Sequence, residues 1–443
     1  MRGLRSFAGL LAILIALGAY LYFVESKRSP DADVETKEKV FSVVPDTIDA
    51  LSVRAESGDT TSLKKAGGEW QIVAPASAAA DAAEVSGITS SLSTLEQQRL
   101  IDENPADLEE YGLAKPRIEV AFTSGGQEQK LLIGSKTPTG ADLYAKTSGG
   151  PRVFLIASYL ESTFNRKTFD LRDKTALKFE RDGASSLEIA TGGRTLTFSK
   201  AEGEWKMTQS PGARTDASAI EGLIARVANL QMESLAAADA VDLTQYGLEK
   251  PAASVRVSAG SATATLLLGS AAEEGQVFAK DVSRPAVFTV ESSLLDELKK
   301  DAGEYRQKDL FEARAFNATR VEVDRGGAAR VFEKTMAKNK DGQDEEKWRQ
   351  TAPAAADVDA AQLDALLSAL TGARAASFVE TLPAGATPEA AFTVKFDEGR
   401  REERVRFLRA GGDAYAVRDG EPGAAKIEAA TLDGILKALD DLT

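Results

Sequence analysis

The sequence predicts an α+β protein built from tandem copies of a module that combines an antiparallel β-meander with helices. Landmark residues recur at a constant offset of 135 residues, so that Trp70 returns as Trp205 and Pro116 as Pro251. Within each copy, alternating apolar and polar residues precede an apolar pattern with helical spacing. Because solenoid repeats have periods of about 20–50 residues, this longer offset indicates duplication of a whole domain.

A looser third copy follows, in which Trp348 stands 143 residues after Trp205. A chain of 443 residues is long enough for about three domains. The predicted organisation is a transmembrane anchor at 1–25, a polar linker at 26–40, repeat 1 at 41–174, repeat 2 at 175–310 and a degenerate repeat 3 at 311–443.

Repeat 1 opens with three alternating stretches that predict the strands of a meander: Ile48–Glu56, Thr61–Lys65 and Glu69–Val73. Short gaps that contain glycine separate them. Trp70 falls on the third stretch, and a tryptophan on a strand that packs beside a helix is typically a core anchor.

Each copy then predicts a helix capped by an aspartate, namely Asp81, Asp216 and Asp359. An aspartate at this place accepts hydrogen bonds from the free amides of the first helical turn. Glu84 and Gln362 stand three residues later and predict the reciprocal half of a capping box. The apolar positions behind the caps have helical spacing: Val85, Ile88, Leu92, Leu95; Ile220, Leu223, Val227, Leu230; Leu363, Leu366, Leu370.

A Tyr-Gly-Leu turn follows the helix in the first two copies, at Tyr111–Leu113 and Tyr246–Leu248. In the third copy the region around Glu380–Pro383 replaces it, as expected for a terminal repeat. Four more strands are predicted after the turn: Arg117–Thr123, Gln129–Ile133, Asp142–Lys146 and Arg152–Ile156. A second, short helix is predicted to start near Ser158, with counterparts at Ser292 and Thr431.

Composition excludes several classes of function. The chain has no cysteine and no histidine, so a Ser-His-Asp triad, a Cys-His pair and a zinc site built on those residues are impossible. The formal net charge is −14, and no basic cluster interrupts this acidic trend. An acidic surface repels phosphate backbones, which argues against nucleic-acid binding.

No motif predicts a catalytic, cofactor-binding or metal-binding residue. Lys338–Glu346 resembles a calcium loop, but the EF-hand frame would place Trp348 at the ligand position twelve, so the segment is interpreted as a hairpin insertion. Gly134–Thr137 resembles the end of a P-loop but lacks the required glycine spacing. Neighbouring acids such as Glu109 and Glu110 have side chains that diverge. A hydrolase that uses carboxylates alone stays open as a minor alternative.

The N-terminus predicts a membrane segment. The run Ser6–Val24 carries no charge and has 19 residues, close to the roughly 20 that cross a ~30 Å hydrocarbon core as a helix. A cleaved signal peptide is the alternative, although Leu17 disfavours cleavage after Ala19. Arg2 and Arg5 before the run are balanced by basic residues after it, so charge leaves the orientation open. Export of the long C-terminal part is the commoner arrangement.

These landmarks together resemble the DUF4340 domain. The resemblance rests on Trp70–Ile72, Tyr111–Pro116, Leu131–Gly134 and Tyr144–Lys146, and on the matching positions of the second copy. It implies a bacterial protein with an N-terminal membrane helix or lipid anchor and no known catalytic residue or cofactor. It further implies protein partners in an ABC-type transport system like that of gliding motility.

The sequence and the resemblance together predict a non-enzymatic accessory or scaffold protein. It would be held in the bacterial inner membrane by one helix, with its repeats in the periplasm and with partners in an ABC-type transport complex. The alternative is a module that binds cell-envelope glycan or lipid in grooves between repeats. An exposed aromatic or apolar cleft would favour this alternative, and burial of all three tryptophans would weaken its glycan form.

Overall fold

A computed structural model describes residues 37–273, 275–338 and 344–442. The chain divides into two compact units, Met1–Asp173 and Lys174–Thr443. The anchor predicted at 1–25 and most of the linker predicted at 26–40 lie outside the described residues. Within the described ranges, no helix combines the length and the apolar character needed to cross a membrane.

The first unit contains a nine-stranded antiparallel sheet with the strand order β4-β3-β2-β1-β6-β7-β8-β9-β5. Its strands are β1 (Ile48–Arg54), β2 (Thr60–Ala66), β3 (Glu69–Ala74), β4 (Ala78–Ala79), β5 (Arg99–Asp102), β6 (Ile118–Ser124), β7 (Gln127–Lys136), β8 (Asp142–Thr147) and β9 (Val153–Ala157). Its helices are α1 (Ala82–Ser93) and α2 (Leu160–Phe164). Since β1 pairs with β6, the meanders before and after α1 join at the middle of the sheet.

The second unit contains two further sheets. The first of these has the order β12-β11-β10-β14-β15-β16-β17-β13. Its elements are β10 (Ala184–Thr191), β11 (Arg194–Ala201), β12 (Glu204–Met207), α3 (Ala217–Ala228), β13 (Ser234–Ala237), β14 (Ala253–Ala259), β15 (Ala262–Ala271), β16 (Gln276–Asp281), β17 (Val287–Glu291) and α4 (Ser293–Leu298).

The other sheet of this unit has the order β21-β20-β19-β18-β23-β24-β25-β26-β22. Its elements are β18 (Ala318–Arg325), β19 (Ala328–Lys338), β20 (Asp344–Ala352), β21 (Ala356–Asp357), α5 (Ala360–Thr371), β22 (Ser377–Val379), β23 (Thr387–Phe396), β24 (Arg401–Ala410), β25 (Asp413–Arg418), β26 (Ala424–Ile427) and α6 (Ala429–Asp440). The three sheets repeat one topology, so the chain is mostly antiparallel β-sheet with few helices, as the alternating pattern predicts.

Alternation along the strands sets the core. In β1, Leu51 and Val53 are 2% and 0% exposed, whereas the residues between and beside them are more accessible. Successive side chains of a strand point to opposite faces, so one face packs on the helices. Val85, Ile88 and Leu92 of α1 belong to the same apolar cluster as β1, and the helical spacing correctly identifies them.

The aspartate caps are confirmed. The carboxylate of Asp81 accepts hydrogen bonds from the amides of Ala83 and Glu84, at 2.9 and 3.1 Å. Asp216 and Asp359 cap α3 and α5 in the same way.

The prediction of the reciprocal half of the capping box is wrong for α1 and α5. At α1, tertiary contacts take both of its groups. The amide of Asp81 donates to the carbonyl of Leu171, and the side chain of Glu84 pairs with Arg166 at 2.8 Å. In α5, Gln362 Oε1 has no hydrogen-bond partner in the described part of the chain.

Some short strands do not follow from the sequence pattern. The strands β4, β5, β13, β21 and β22 have only two to four residues, too few to show alternation. The helix near Thr431 is also not short, because α6 has 12 residues, against five for α2 and six for α4. Leu432, Ile435 and Leu439 are buried along it and extend its apolar face.

Within the second unit, residues 306–310 join the two sheets. Arg306 forms a β-bridge with Thr215, and Asp309 forms one with Arg374. The amide of Gln307 donates to the carbonyl of Arg214 at 2.9 Å. This segment therefore pairs with repeat 2 at one end and with repeat 3 at the other, and it forms one side of the cleft described below.

Candidate functional site

Two of the three repeated tryptophans are core anchors. Trp205 is 4% exposed and Trp348 is 9% exposed, while Trp70 is half-buried and packs against the core of repeat 1. The indole Nε1 of Trp205 donates to Glu221 of α3 at 3.3 Å, so this ring ties a meander strand to the helix. The core interpretation is therefore confirmed for Trp205 and Trp348 and holds in part for Trp70.

The Tyr-Gly-Leu turn is a packing device. Gly112 and Gly247 both have a φ of 67°, in the left-handed region that glycine adopts without strain. In each turn the tyrosine carbonyl lies close against a glycine of the neighbouring strand. A Cβ on Gly134 would lie 2.1 Å from the carbonyl oxygen of Tyr111. Gly269 has the same relation to Tyr246, at the same distance. Gly134 thus serves strand packing, not a phosphate loop.

Repeat 3 solves the same packing problem differently. Leu408 is the eighth residue of β24, the place that Gly134 and Gly269 have in β7 and β15. Its side chain is 7% exposed and belongs to a small apolar cluster that includes Leu382 and Ala386. A leucine leaves no room for a close carbonyl, in agreement with the absence of the Tyr-Gly-Leu turn from repeat 3.

Acidic residues do not gather into a metal site in the described part of the chain. Glu109 and Glu110 are exposed, and a hydrogen bond from Tyr111 to Glu110 raises the pKa of the Tyr111 phenol to about 12. Asp440 pairs with Arg325 across the third repeat. Of the Lys338–Glu346 segment, residues 339–343 lie outside the described ranges. The pairing of Lys338 with Asp344 confirms the predicted hairpin.

A cleft of about 860 Å³ lies in the second unit, between repeat 2 and repeat 3. One wall is the edge strand β12 with the loop 208–215, and the other includes Gln307, Glu312 and Arg401. Three cationic side chains and two acidic ones line it, in a chain whose net charge is −14: Lys206, Arg214, Arg401, Glu204 and Glu312.

Beside this cleft, a buried carboxylate links the two repeats. Glu421 lies between β25 and β26, and its side chain is 9% exposed. It accepts hydrogen bonds from Arg214 Nε, from Arg306 Nη2 at 3.2 Å and from Arg418 Nη1 at 3.4 Å. Arg214 comes from the loop of repeat 2, so this carboxylate fixes that loop to repeat 3.

Arg306 is the most buried guanidinium of this cluster. Burial lowers its pKa, attraction to Glu421 opposes that effect, and the neighbouring Arg214 adds to the lowering. Its Nε has no hydrogen-bond acceptor in the described part of the chain, and the same holds for Arg214 Nη1 and Arg418 Nε. All three side chains line a void of about 20 Å³, which is large enough for one water-sized group only.

Glu312 is the second junction of charges, on the wall of the cleft. Burial alone would raise the pKa of Glu312, but Arg401, Arg214 and Arg418 together hold it below its ordinary value. A carboxylate with a lowered pKa stays ionised at neutral pH and is a poor proton donor. Arginine also keeps its proton throughout the physiological range. This chemistry suits the binding of a charged or polar ligand better than proton transfer.

The DUF4340 family, described as a domain of unknown function, matches residues 70–213 and 205–398. The chain belongs to the DUF4340 family. The two matches start at Trp70 and Trp205, one repeat length apart, which is consistent with tandem DUF4340 domains. They start at the third strand of a meander, and the predicted boundaries at 41–174, 175–310 and 311–443 stay predictions.

Among solved structures, this DUF4340 protein is similar to the DNA polymerase sliding clamp from Pseudomonas aeruginosa, in one structure with a ligand. In both cases the identity is 10%, and the match covers 88% of this chain and 93% of the clamp chain at a TM-score of 0.15. A score this low carries no argument. Comparison with curated proteins gives no match.

The sequence predicts grooves between repeats only as an alternative and does not identify the residues of this cleft, although one signal for them exists. Pro75 and Pro353 stand five residues after their tryptophans, whereas Pro211 stands six residues after Trp205. Proline fixes its own φ and restricts the residue before it, so a shift of one position redirects the loop. The DUF4340 landmarks are otherwise the same in repeats 1 and 2.

Proposed function

We propose that this protein is a non-enzymatic accessory or scaffold subunit of an ABC-type transport system. It is anchored in the bacterial inner membrane by residues 1–25 and extends its repeats into the periplasm. The observation that supports this most is that the shared residues described above serve the fold. Trp205 and Trp348 fill the core, the three aspartates cap helices, and Gly134 and Gly269 admit carbonyls, so we assign the activity to surfaces on which the repeats differ.

Further support comes from the kind of groups that line the cleft. They are fixed charges of arginine and ionised glutamate, which recognise partners but do not move protons at neutral pH. The family description adds no activity of its own. The N-terminal run Ser6–Val24 motivates the membrane anchor.

The test is crosslinking in native membranes, followed by purification of the full chain and mass spectrometry. We expect permease and ATP-binding subunits of one ABC-type transporter to be recovered. The control is residues 1–40 fused to an unrelated exported domain, which keeps the anchor but removes the repeats. Equal recovery of transporter subunits by the control, or recovery of none by the full chain, would overturn the proposal.

Topology is tested separately by protease treatment of spheroplasts. If the repeats are periplasmic, added protease degrades them while a cytoplasmic marker stays intact. Protection of the repeats until the inner membrane is lysed would reverse the proposed orientation.

The second candidate function is binding of a cell-envelope glycan or lipid. The observation that favours it is the cleft of about 860 Å³ between repeats 2 and 3, with cationic side chains on both walls. The burial of Trp205 and Trp348 weakens the glycan form, because sugar sites usually present an exposed aromatic face. Binding of envelope glycan fragments or anionic lipid vesicles by the full chain, and its loss in Arg401→Glu, would favour this candidate over the scaffold.

A further inference from the structure

The three sheets differ at one edge, which is the edge next to the tryptophan strand. In repeat 1, β4 covers β3, with Ile72 opposite Ala78. In repeat 3, β21 covers β20, with Gln350 opposite Ala356. In repeat 2, β12 is the last strand of its sheet, and no strand covers it within the described residues.

The backbone groups of Met207 face this open edge. Hydrogen bonds alternate in direction along an antiparallel strand. The amide of Thr208 donates to the carbonyl of Thr197 on the β11 side, at 2.9 Å. The amide and carbonyl of Met207 therefore point the other way, as those of Ile72 do where they meet Ala78.

The chain segment that would cover this edge is held away from it. The spacing from tryptophan to capping aspartate is the same in repeats 1 and 2, so residues 213–214 are the counterparts of β4. Instead of pairing with β12, Arg214 donates to the carbonyl of Asp309 at 2.7 Å and to the carboxylate of Glu421.

The neighbouring residues of this loop follow the same path. A Cβ on Gly212 would lie 3.4 Å from the carbonyl oxygen of Gly420, so the loop runs close to repeat 3. The hydroxyl of Thr215 donates to the carbonyl of Trp205. In repeat 1 the equivalent carbonyl, that of Trp70, accepts from the backbone amide of Ala80 instead. The gap between the displaced loop and β12 is part of the cleft of about 860 Å³.

We propose that the open edge of β12 binds an extended, acidic peptide segment of a partner protein, which adds to the sheet as an antiparallel ninth strand. Uncovered strand edges readily pair with an added strand, whose main chain supplies the hydrogen bonds. Repeats 1 and 3 indicate this kind of occupant, because a two-residue strand fills the same place in both.

Side-chain chemistry indicates what the segment carries. In repeat 3, Arg349 lies opposite Asp357, and the two side chains form an ion pair with 3.0 Å between Nε and Oδ1. Lys206 stands where Arg349 stands, directly after the tryptophan, and it is exposed without an ion-pair partner among the described residues. An aspartate or glutamate opposite Lys206 would complete the same pair. Arg401 on the far wall is half exposed and already pairs with Glu312, so the acid of the segment is assigned to Lys206.

The residue opposite Met207 is expected to be small. In the two covered edges this place is taken by Ala78 and Ala356. An acidic residue flanked by small ones therefore fits the cleft. This inference rests on the proposed scaffold role, since it supplies a contact for a protein partner.

The probe is a synthetic peptide that copies Pro353–Asp359, the segment that covers the edge in repeat 3. Hydrogen–deuterium exchange of the detergent-solubilised full chain is followed with and without this peptide. We expect exchange at the Met207 amide to slow at least about fivefold, because this amide gains a strand partner. The matched control peptide has N-methyl groups on the amides that would face β12, and it should give no protection.

A crosslinking arm tests the register. Because the chain has no cysteine, Lys206→Cys introduces a single thiol. A peptide with cysteine at the place of Asp357 would lie directly opposite, within reach of a disulfide. We expect disulfide trapping to be about tenfold faster for Lys206→Cys than for Arg349→Cys, whose edge is already covered by β21. Equal trapping rates would overturn the proposed register.

A charge arm tests the recognition of acid. Lys206→Glu should abolish the protection of Met207, and a peptide with lysine at the acidic place should restore it. Arg349→Glu is the matched control and should leave peptide binding unchanged. Protection that is absent in the wild-type chain, or cleft binding of glycan or lipid without any peptide effect, would overturn the proposal. Failure to recover transporter subunits from membranes would not overturn the proposed peptide site, because the peptide test uses the purified chain.

Discussion

Repeats 2 and 3 share a topology but differ where the packing is tightest and where the sheet ends. Repeat 2 has Gly269 under the carbonyl of Tyr246, whereas repeat 3 has Leu408 at that place, packed in an apolar cluster. Within the described ranges, repeat 2 leaves the edge strand β12 uncovered, whereas repeat 3 covers β20 with β21.

These two kinds of difference have different consequences. Exchanging a glycine contact for a leucine cluster preserves the packing of the sheet, because either solution fills the space. Uncovering an edge changes what the sheet can bind, because backbone donors and acceptors become available. The edge is therefore the more informative place to look for function.

The largest effect is expected from Gly269→Ala. The added Cβ would lie 2.1 Å from the carbonyl oxygen of Tyr246, which is backbone and cannot rotate away. We expect a loss of about 3 kcal/mol in the free energy of unfolding, measured by urea denaturation. The control Gly222→Ala places a methyl on α3 with no atom within 4 Å and should stabilise by about 0.5–1 kcal/mol.

Leu408→Ala completes this comparison from the side of repeat 3. We expect the free energy of unfolding to fall by about 2 kcal/mol, because the leucine fills space that in repeat 2 is taken by a carbonyl beside the glycine. If both Gly269→Ala and Leu408→Ala were neutral, the two repeats would not be solving a common packing problem.

A smaller effect is expected from Glu421→Gln, which removes the charge that holds Arg214 of repeat 2 and Arg306 against repeat 3. Because the guanidinium groups would then be buried without their carboxylate, we expect the free energy of unfolding to fall by about 2 kcal/mol. Glu398→Gln is the control, because its side chain is 85% exposed and its partner Arg400 is also exposed. A similar loss for both variants would show that the junction between the repeats does not depend on Glu421.

The smallest effect is a pH dependence that arises at Glu312. Three arginines hold its pKa below the ordinary value of 4.5, against the effect of burial. A carboxyl whose pKa is lowered by folding stabilises the fold at a pH above its pKa in the unfolded state. This contribution is lost as the pH falls through its lower pKa in the folded state. The stability difference between the wild type and Glu312→Gln should therefore shrink between pH 7 and about pH 3. A difference that is constant over this range would contradict the assignment.

The local parts of the fold were predictable because their causes are local. Asp81 caps a helix with its own side chain, and Gly112 forms a turn through its own φ. The alternation around Leu51 marks a buried strand face without knowledge of its partners. The reciprocal capping by Glu84 was predicted wrongly, because Arg166 and Leu171 compete for the same groups from far along the chain.

The sequence by itself determined the repetition of an antiparallel module, the absence of cysteine and histidine chemistry, and the membership in DUF4340. These properties follow from residue spacing and composition, which the sequence contains in full without knowledge of the structure. Only the tertiary structure decided that Arg214 reaches Glu421, that the loop of repeat 2 leaves its strand, and that Met207 faces an open edge. Those outcomes depend on competition between hydrogen-bond partners about 100 to 200 residues apart, a separation that no local pattern records.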